Sequence, residues 1–473
     1  MRHPALDDRN APPSGLHRAA FAIVLAALAA IVMYELSRRR QPDRGDAVDS
    51  SDAAAVCDAV DGAAQRARAR AERLERLRAL GYVDWGTASS EQPPVGVVRH
   101  DNDAAAVGLN LYTAYMKSRA YLIDMEGNLV HSWSGESGER GWQHAELSPG
   151  GPAKARLYVV VKDKALLALD WSSKVLWRRE GRFRHDVSVD GAGRIFAIEG
   201  RSTELAQAGA TALPVVDDSI VILSADGEEE GRLSVMELLG NEVPDTRVER
   251  LLAARQKQPA DAGLPTPPPD LLHTNSIQVV DLEVRRICSP GNLLISIRDL
   301  DRIAVVDVQE ESIRWSWGDG IIQEQHHPTL LPDGKILLFD NGVRRERSRV
   351  LLLEPRTKRI TWRYNGEAEE RLFSERLGAA QLLPNGNILV TESAAGRAFE
   401  LTPGGRVVWE FYNPRVDHEA NRNAVIYRMT RYPLEVTTPV PGAAGPPGND
   451  VGEGENDGGT RGDASGLGPQ PNS

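Results

Sequence analysis

The chain has 473 residues, 41% of them apolar and 26% charged, and carries a formal net charge of −11. That balance suits one large globular unit or several smaller ones, and it excludes a nucleic-acid binder that grips phosphates through a basic face. The two cysteines, Cys57 and Cys288, lie in unrelated stretches without metal-type spacing, so neither a disulfide nor a metal site is expected.

In chain order, residues 1–18 read as an N-terminal tail. Residues 19–36 read as a transmembrane anchor: Ala19 to Tyr34 carries no charge, Arg18 precedes it, and Glu35 and Arg38 to Arg40 follow. The uncharged run falls short of the roughly 20 residues that span a bilayer, but flanking side chains can snorkel to the interface. A signal peptide cleaved after Ala27-Leu28-Ala29 is the rival reading. Arg2, Arg9 and Arg18 nearly balance Arg38, Arg39, Arg40 and Arg44, which leaves orientation open. Residues 37–104 read as a linker with one helix at 60–81, where Leu74, Leu77 and Leu80 form a stripe that Gly81 ends.

From residue 105 to 436 the pattern changes to short apolar runs separated by Gly, Asp and Asn. Tyr121 to Trp133 reads as strand, turn and strand ending in Trp. Leu167 to Trp177, Ile303 to Trp317, Val350 to Trp362 and Phe399 to Trp409 repeat it, and Val221 to Gly227 begins another copy. Further hairpins lie between these, at Val187 to Phe196, Thr329 to Leu338 and Gln381 to Val390. Their Asp-Gly and Asn-Gly turns use the positive φ that Gly adopts without strain. Two hairpins per unit make a four-stranded blade. Units of roughly 50 residues, repeated six times, predict an all-β, six-bladed β-propeller. The third unit is irregular: 235–254 reads as helical and Pro259 to Pro269 as a Pro-rich loop. Residues 437–473, rich in Gly, Pro, Asn and Asp, cannot build a core and are expected to be disordered.

In a propeller the innermost strand of each blade lines a central channel. The interval from His326 to Gly334 equals that from His185 to Gly193, so two blades present an imidazole at one level. The same interval counted back from Gly386 reaches Gly378, which leaves a gap. His273-Thr274-Asn275 starts another such strand, and His144 opens the first with looser spacing. One isolated histidine is usually a satisfied polar residue; three in register on a repeat point to a site. Arg298, ending an apolar strand, supplies a cation for an anionic substrate group. His327 follows His326 directly, and strand alternation predicts that only one of the two meets the channel, with the register selecting His326.

These elements resemble the bacterial arylsulfate sulfotransferase family, the nucleotide-independent type. Gln325-His326, the hairpin Leu331 to Leu338 and Phe339-Asp340-Asn341-Gly342 match one element, His273-Thr274-Asn275 its His-x-Asn element, and Ser296-Ile297-Arg298 the Ser-Arg that follows. His185-Asp186 is similar to its upstream His element. The resemblance covers about 105–433 and implies a six-bladed propeller that needs no cofactor. It implies a transfer in two steps, in which His326 attacks the sulfur of an aryl sulfate and carries the sulfuryl group to a phenol. Arg298, His273 and Asn275 then hold the sulfuryl oxygens. His185 or His273 moves the proton; the residues alone leave open which. The partners implied by the resemblance are small phenols and their sulfate esters; the run at 19–36 is expected to engage the membrane, with the propeller in the periplasm or otherwise outside the cytoplasm.

The chain departs from the better-known members in place: an anchor and a short helix stand where they carry an N-terminal β domain. Two other readings compete. A non-catalytic propeller, binding or scaffolding at the cell envelope, has the same fold. A quinone-cofactor propeller is suggested by the hairpin-ending tryptophans, but blade packing accounts for them and there is no adjacent cysteine pair.

Overall fold

The computed structural model describes residues 92–437 apart from 116, 136–140, 149–153, 206–212, 241–242, 244–267, 367–370 and 419–420. Short apolar runs with turn residues between them form antiparallel hairpins throughout. Strand β1 (Gly96–His100) comes first. Then β2 (Leu109–Ala114), β3 (Arg119–Ile123) and β4 (Leu129–Ser134) build the first blade. The second holds β5 (Trp142–Leu147), β6 (Leu157–Val161), β7 (Ala165–Leu169) and β8 (Val175–Glu180). The third holds β9 (Phe183–Val189), β10 (Ile195–Leu205), β11 (Leu213–Leu223) and β12 (Glu229–Ser234). The fourth holds β13 (Thr274–Val279), β14 (Leu293–Ile297), β15 (Arg302–Asp307) and β16 (Ser312–Trp317). The fifth holds β17 (His326–Leu330), β18 (Ile336–Asp340), β19 (Arg349–Glu354) and β20 (Arg359–Tyr364). The sixth holds β21 (Ala379–Leu382), β22 (Ile388–Glu392), β23 (Arg397–Leu401) and β24 (Val407–Tyr412). A two-stranded ribbon, β25 (Val416–Asp417) and β26 (Arg422–Asn423), leads to the last strand, β27 (Ile426–Tyr432).

Both ends of this region close the ring. β27 pairs with β2 and completes the first blade, and β1 pairs with the outer strand β24 of the sixth. The linker expected to run to 104 therefore gives way to the propeller at Gly96. The strands β5, β9, β13, β17, β21 and β27 contact one another in turn and surround the axis. This is the six-bladed all-β propeller that the repeat predicts.

Each blade interface holds its own apolar cluster. Trp133, Leu157 and Leu167 pack between the first and second blades, Leu338, Leu351 and Trp317 between the fourth and fifth, and Phe339, Val390 and Phe399 between the fifth and sixth. The hairpin-ending tryptophans do the packing expected of them, and several also donate a hydrogen bond to the next blade's turn. Trp133 Nε1 donates to Asp170 O at 3.2 Å, Trp177 to Ala225 O at 3.1 Å, Trp362 to Pro403 O at 3.0 Å and Trp409 to Met125 O at 2.8 Å. In these four the indole buries its apolar body and still satisfies its polar edge, whereas Trp317 Nε1 in the fourth blade is buried without a partner.

In the stretch expected to be helical over 235–254, a one-turn helix spans Val235–Leu239, capped by Ser234, whose side chain accepts from Glu237 N; most of the remainder lies outside the described residues. The anchor at 19–36, the helix at 60–81 and the tail after residue 437 also lie outside them. Among the described residues no helix is long and apolar enough to cross a membrane.

Candidate active site

The innermost strands begin with a shared irregularity. Register shifts fall at the start of β5, β9, β13 and β17 and near the start of β27. His185, His273 and His327 adopt positive φ there, at 68°, 54° and 49°. A bulge leaves a residue out of the ladder and re-aims its side chain. The sixth blade has Gly378 at this point, with φ 107°, and a Cβ there would lie 2.5 Å from the Phe339 ring. Close packing of the two blades thus explains the gap in the histidine register.

His326 is 6% exposed. Its Nδ1 lies 2.8 Å from Asn341 Oδ1 and 3.0 Å from Glu324 O. The Asn341 amide is oriented by its own donors, since Nδ2 donates to Ser374 O at 2.8 Å and to Leu377 O at 2.7 Å. Both neighbours of Nδ1 are therefore acceptors, the proton sits on Nδ1, and the lone pair lies on Nε2. Burial pushes the imidazole pKa down to about 3; the Asn341 bond opposes this, while the charges of Arg298 and His273 add to it. The ring is neutral at any ordinary pH.

His273 stands beside His326 and packs on His185, with ring centroids 4.6 Å apart. Its Nδ1 lies 3.0 Å from Asp270 Oδ2, and its backbone N–H donates to Asp270 Oδ1 at 3.0 Å. Asp270 also receives Arg184 Nη1 at 2.9 Å, and Arg184 pairs with buried Asp218 on its other side. Burial works to raise the Asp270 pKa, but Arg184 and His273 outweigh it and hold the carboxyl well below the usual range. The His185 backbone N–H donates to Gln143 Oε1 at 2.8 Å, while the ring Nδ1 is buried without a hydrogen-bond partner. Burial, with His273 and Arg184 nearby, keeps that ring well below its usual pKa and neutral.

Arg298 directs Nη2 to Glu324 Oε2 at 2.6 Å, and its backbone N–H donates to His273 O at 3.2 Å. Its charge reaches His326, although Glu324 shares it. Asn275 lies deeper, at 1% exposure, and its Nδ2 donates to Gln325 O at 2.9 Å. That bond ties the residue before His326 to the fourth blade. The structure therefore brings His326, His273, His185 and Arg298 to one mouth and sets Asn275 beneath them as a strap. Sequence reasoning missed Asp270, Arg184 and Lys162. The Asp-x-x-His spacing of Asp270 and His273 was the available signal for the first. Burial, with Arg184 and Arg376 close by, lowers the Lys162 pKa to about 8, against the pull of Asp163 and Asp270.

His327 corrects the alternation argument. The bulge lets His326 face the mouth while His327 also lines the axis, with Nδ1 donating to Ala380 O at 3.1 Å. Beside it, Asp186 and Arg428 form a bidentate pair at 3.0 Å for both contacts, and Ser276 Oγ and Ile277 N also donate to Asp186. His144 Nε2 lies 3.5 Å from the same carboxylate. This layer floors the site. Past it is a cavity of about 290 Å³ to which each blade's inner strand contributes at least one polar residue, among them Glu146, Ser188, Gln278, Thr329, Gln381 and Thr430.

A buried, neutral imidazole with a fixed lone pair, flanked by a carboxylate-held imidazole and a guanidinium, suits nucleophilic transfer of an anionic group. Comparison with known proteins bears on which group. No curated protein matches the chain. Solved structures match at low similarity. A protein of unknown function from Bacteroides caccae has 12% identity, covers 68% of this chain and 98% of that one, and gives a TM-score of 0.44. A streptogramin B lyase structure has 11% identity, with 73% and 97% covered and a TM-score of 0.38. A chain of a nidogen/laminin complex has 12% identity, with 68% and 97% covered and a TM-score of 0.40. A family model for arylsulfotransferase (ASST) matches residues 122–414, which includes every residue placed at the mouth. The chain belongs to the arylsulfotransferase (ASST) family.

Proposed function

We propose that this sulfotransferase moves a sulfuryl group from a phenolic sulfate ester to a phenolic acceptor through a sulfo-histidine on His326. The observation that carries the reading is the tautomer of His326. Asn341 Oδ1 and Glu324 O hold the proton on Nδ1, so Nε2 offers its lone pair to sulfur without first losing a proton. In the first half-reaction the Nε2–S bond forms as the S–O bond to the phenol breaks. In the second, the acceptor oxygen bonds to sulfur and the N–S bond breaks. Charge on the moving group spreads over three oxygens, as in phosphoryl transfer, so fixed cations and N–H donors at the mouth stabilise the transition state. Arg298 supplies such a group. A phenolate, whose parent pKa is about 10, leaves far more readily than an alkoxide, which restricts the donors to aryl esters.

The membrane anchor and extracytoplasmic placement belong to the same proposal; the anchor rests on the uncharged run from Ala19 to Tyr34. The test is transfer from 4-nitrophenyl sulfate to phenol. His326→Ala is expected to abolish it with the fold intact by circular dichroism. Wild-type rates in that variant would remove His326 from the mechanism.

A further inference from the structure

His326 and His273 differ in what holds Nδ1. On His326 it is a neutral amide oxygen and a neutral carbonyl; on His273 it is the Asp270 carboxylate. The difference separates their chemistry. A neutral acceptor fixes the tautomer without stabilising a charged ring, which suits a nucleophile that must also depart from sulfur. A carboxylate fixes the tautomer and also stabilises positive charge that arrives when the far nitrogen takes a proton.

From this geometry we infer that Asp270 is a positioning residue that makes His273 the proton carrier of the reaction, and that His185 is not that carrier. The inference rests on the sulfotransferase reading above and deepens it. Asp270 grips His273 twice, with Oδ1 on the backbone N–H and Oδ2 on the ring, each at 3.0 Å. The double contact accompanies the left-handed backbone at His273, where φ is 54°. Arg184, anchored on Asp218, holds the carboxylate from behind. His273 is 14% exposed at the mouth and is gripped by a carboxylate, while the Nδ1 of His185 is buried without a hydrogen-bond partner and the Asp270 charge acts on that ring only through space. As the donor's S–O bond breaks, protonated His273 gives its Nε2 proton to the phenolate oxygen and becomes neutral, keeping Nδ1–H on Asp270. When the acceptor phenol attacks sulfur, its hydroxyl proton returns to His273 Nε2. One proton leaves and one comes back, so each cycle balances.

The experiment compares kcat/KM for two donors, 4-nitrophenyl sulfate and phenyl sulfate, in wild-type and Asp270→Asn protein. A nitrophenolate leaves without protonation; a phenolate needs it. The variant is expected to lose about 10²-fold on phenyl sulfate, the usual size of a general-acid contribution, and severalfold at most on the nitrophenyl ester. Equal loss on both donors would make Asp270 a structural residue and overturn the inference. Should the variant fail to fold, His273→Gln is read on the same pair, because the proposed role of Asp270 runs wholly through His273, and unchanged donor selectivity there overturns the inference equally. Wild-type protein that transfers from neither donor would instead refute the sulfotransferase reading itself.

Discussion

At the scale of single residues, the site is a set of imidazoles made unlike by their neighbours. His326, His273, His185 and Arg298 were legible because three of them fall at matching points of a repeat and all four fit a family pattern. Asn341 was visible as part of Phe339-Asp340-Asn341-Gly342, but its role was not, because a tautomer lock depends on what the amide's other end touches. Ser374 O and Leu377 O, well over a strand away, set that orientation. Lys162 had no signal, since it follows β6 in a blade whose histidine spacing is loose. Asn341→Ala removes one of the two acceptors on His326 Nδ1, and a lost hydrogen bond of about 1–1.5 kcal/mol corresponds to about tenfold. Formation of the sulfuryl-enzyme, followed as the burst of 4-nitrophenol, is expected to slow by about that factor. An unchanged burst rate would show that Glu324 O alone sets the tautomer.

At the scale of elements, the bulge that starts the inner strands does the functional work. It aims His185 and His273 and lets adjacent His326 and His327 both face the axis, which simple alternation forbids. A bulge leaves little trace in an apolar/polar pattern, so the expected division between His326 and His327 failed there. The outer hairpins were legible because Asp-Gly and Asn-Gly turns and terminal tryptophans mark them. The closing strands were not: β1 and β27 pair with β24 and β2, far off in the chain, and local pattern says nothing of such partners. Gly378 tests the element account. Its φ of 107° and the Phe339 ring leave no room for a Cβ. Gly378→Ala is expected to cost about 1–3 kcal/mol in chemical denaturation, the range for overpacking and strained backbone. A denaturation midpoint equal to wild type would mean that the blade contact is looser than described.

At the scale of the whole molecule, the axis concentrates neutral histidines. Burial first, then nearby cations, hold His185, His326 and His327 below the ordinary imidazole value. The unfolded chain takes up protons at these residues below about pH 6.5 while the native state does not, so stability falls with pH, by up to about 1.4 kcal/mol per pH unit for each. Asp217, raised to about 6 by burial, and Asp218, also raised by burial, oppose the trend, while His131, lowered by burial, adds to it. The melting temperature is expected to drop between about pH 7.5 and pH 5, the range in which unfolded histidines gain their charge, and a flat profile would contradict the neutral cluster. Architecture and family were open to a reader of the sequence because the repeat recurs across the whole region; the ring's closure needed coordinates, and the carboxylate behind His273 left only its Asp-x-x-His spacing as a trace. The central claim is covalent catalysis at His326, and intact mass after incubation with an aryl sulfate and no acceptor tests it most directly. The account predicts a gain of one SO₃ unit, mapped to the peptide carrying His326, that disappears when a phenol is added. An enzyme that transfers sulfuryl groups with no mass gain, or with the adduct on another residue, would contradict it.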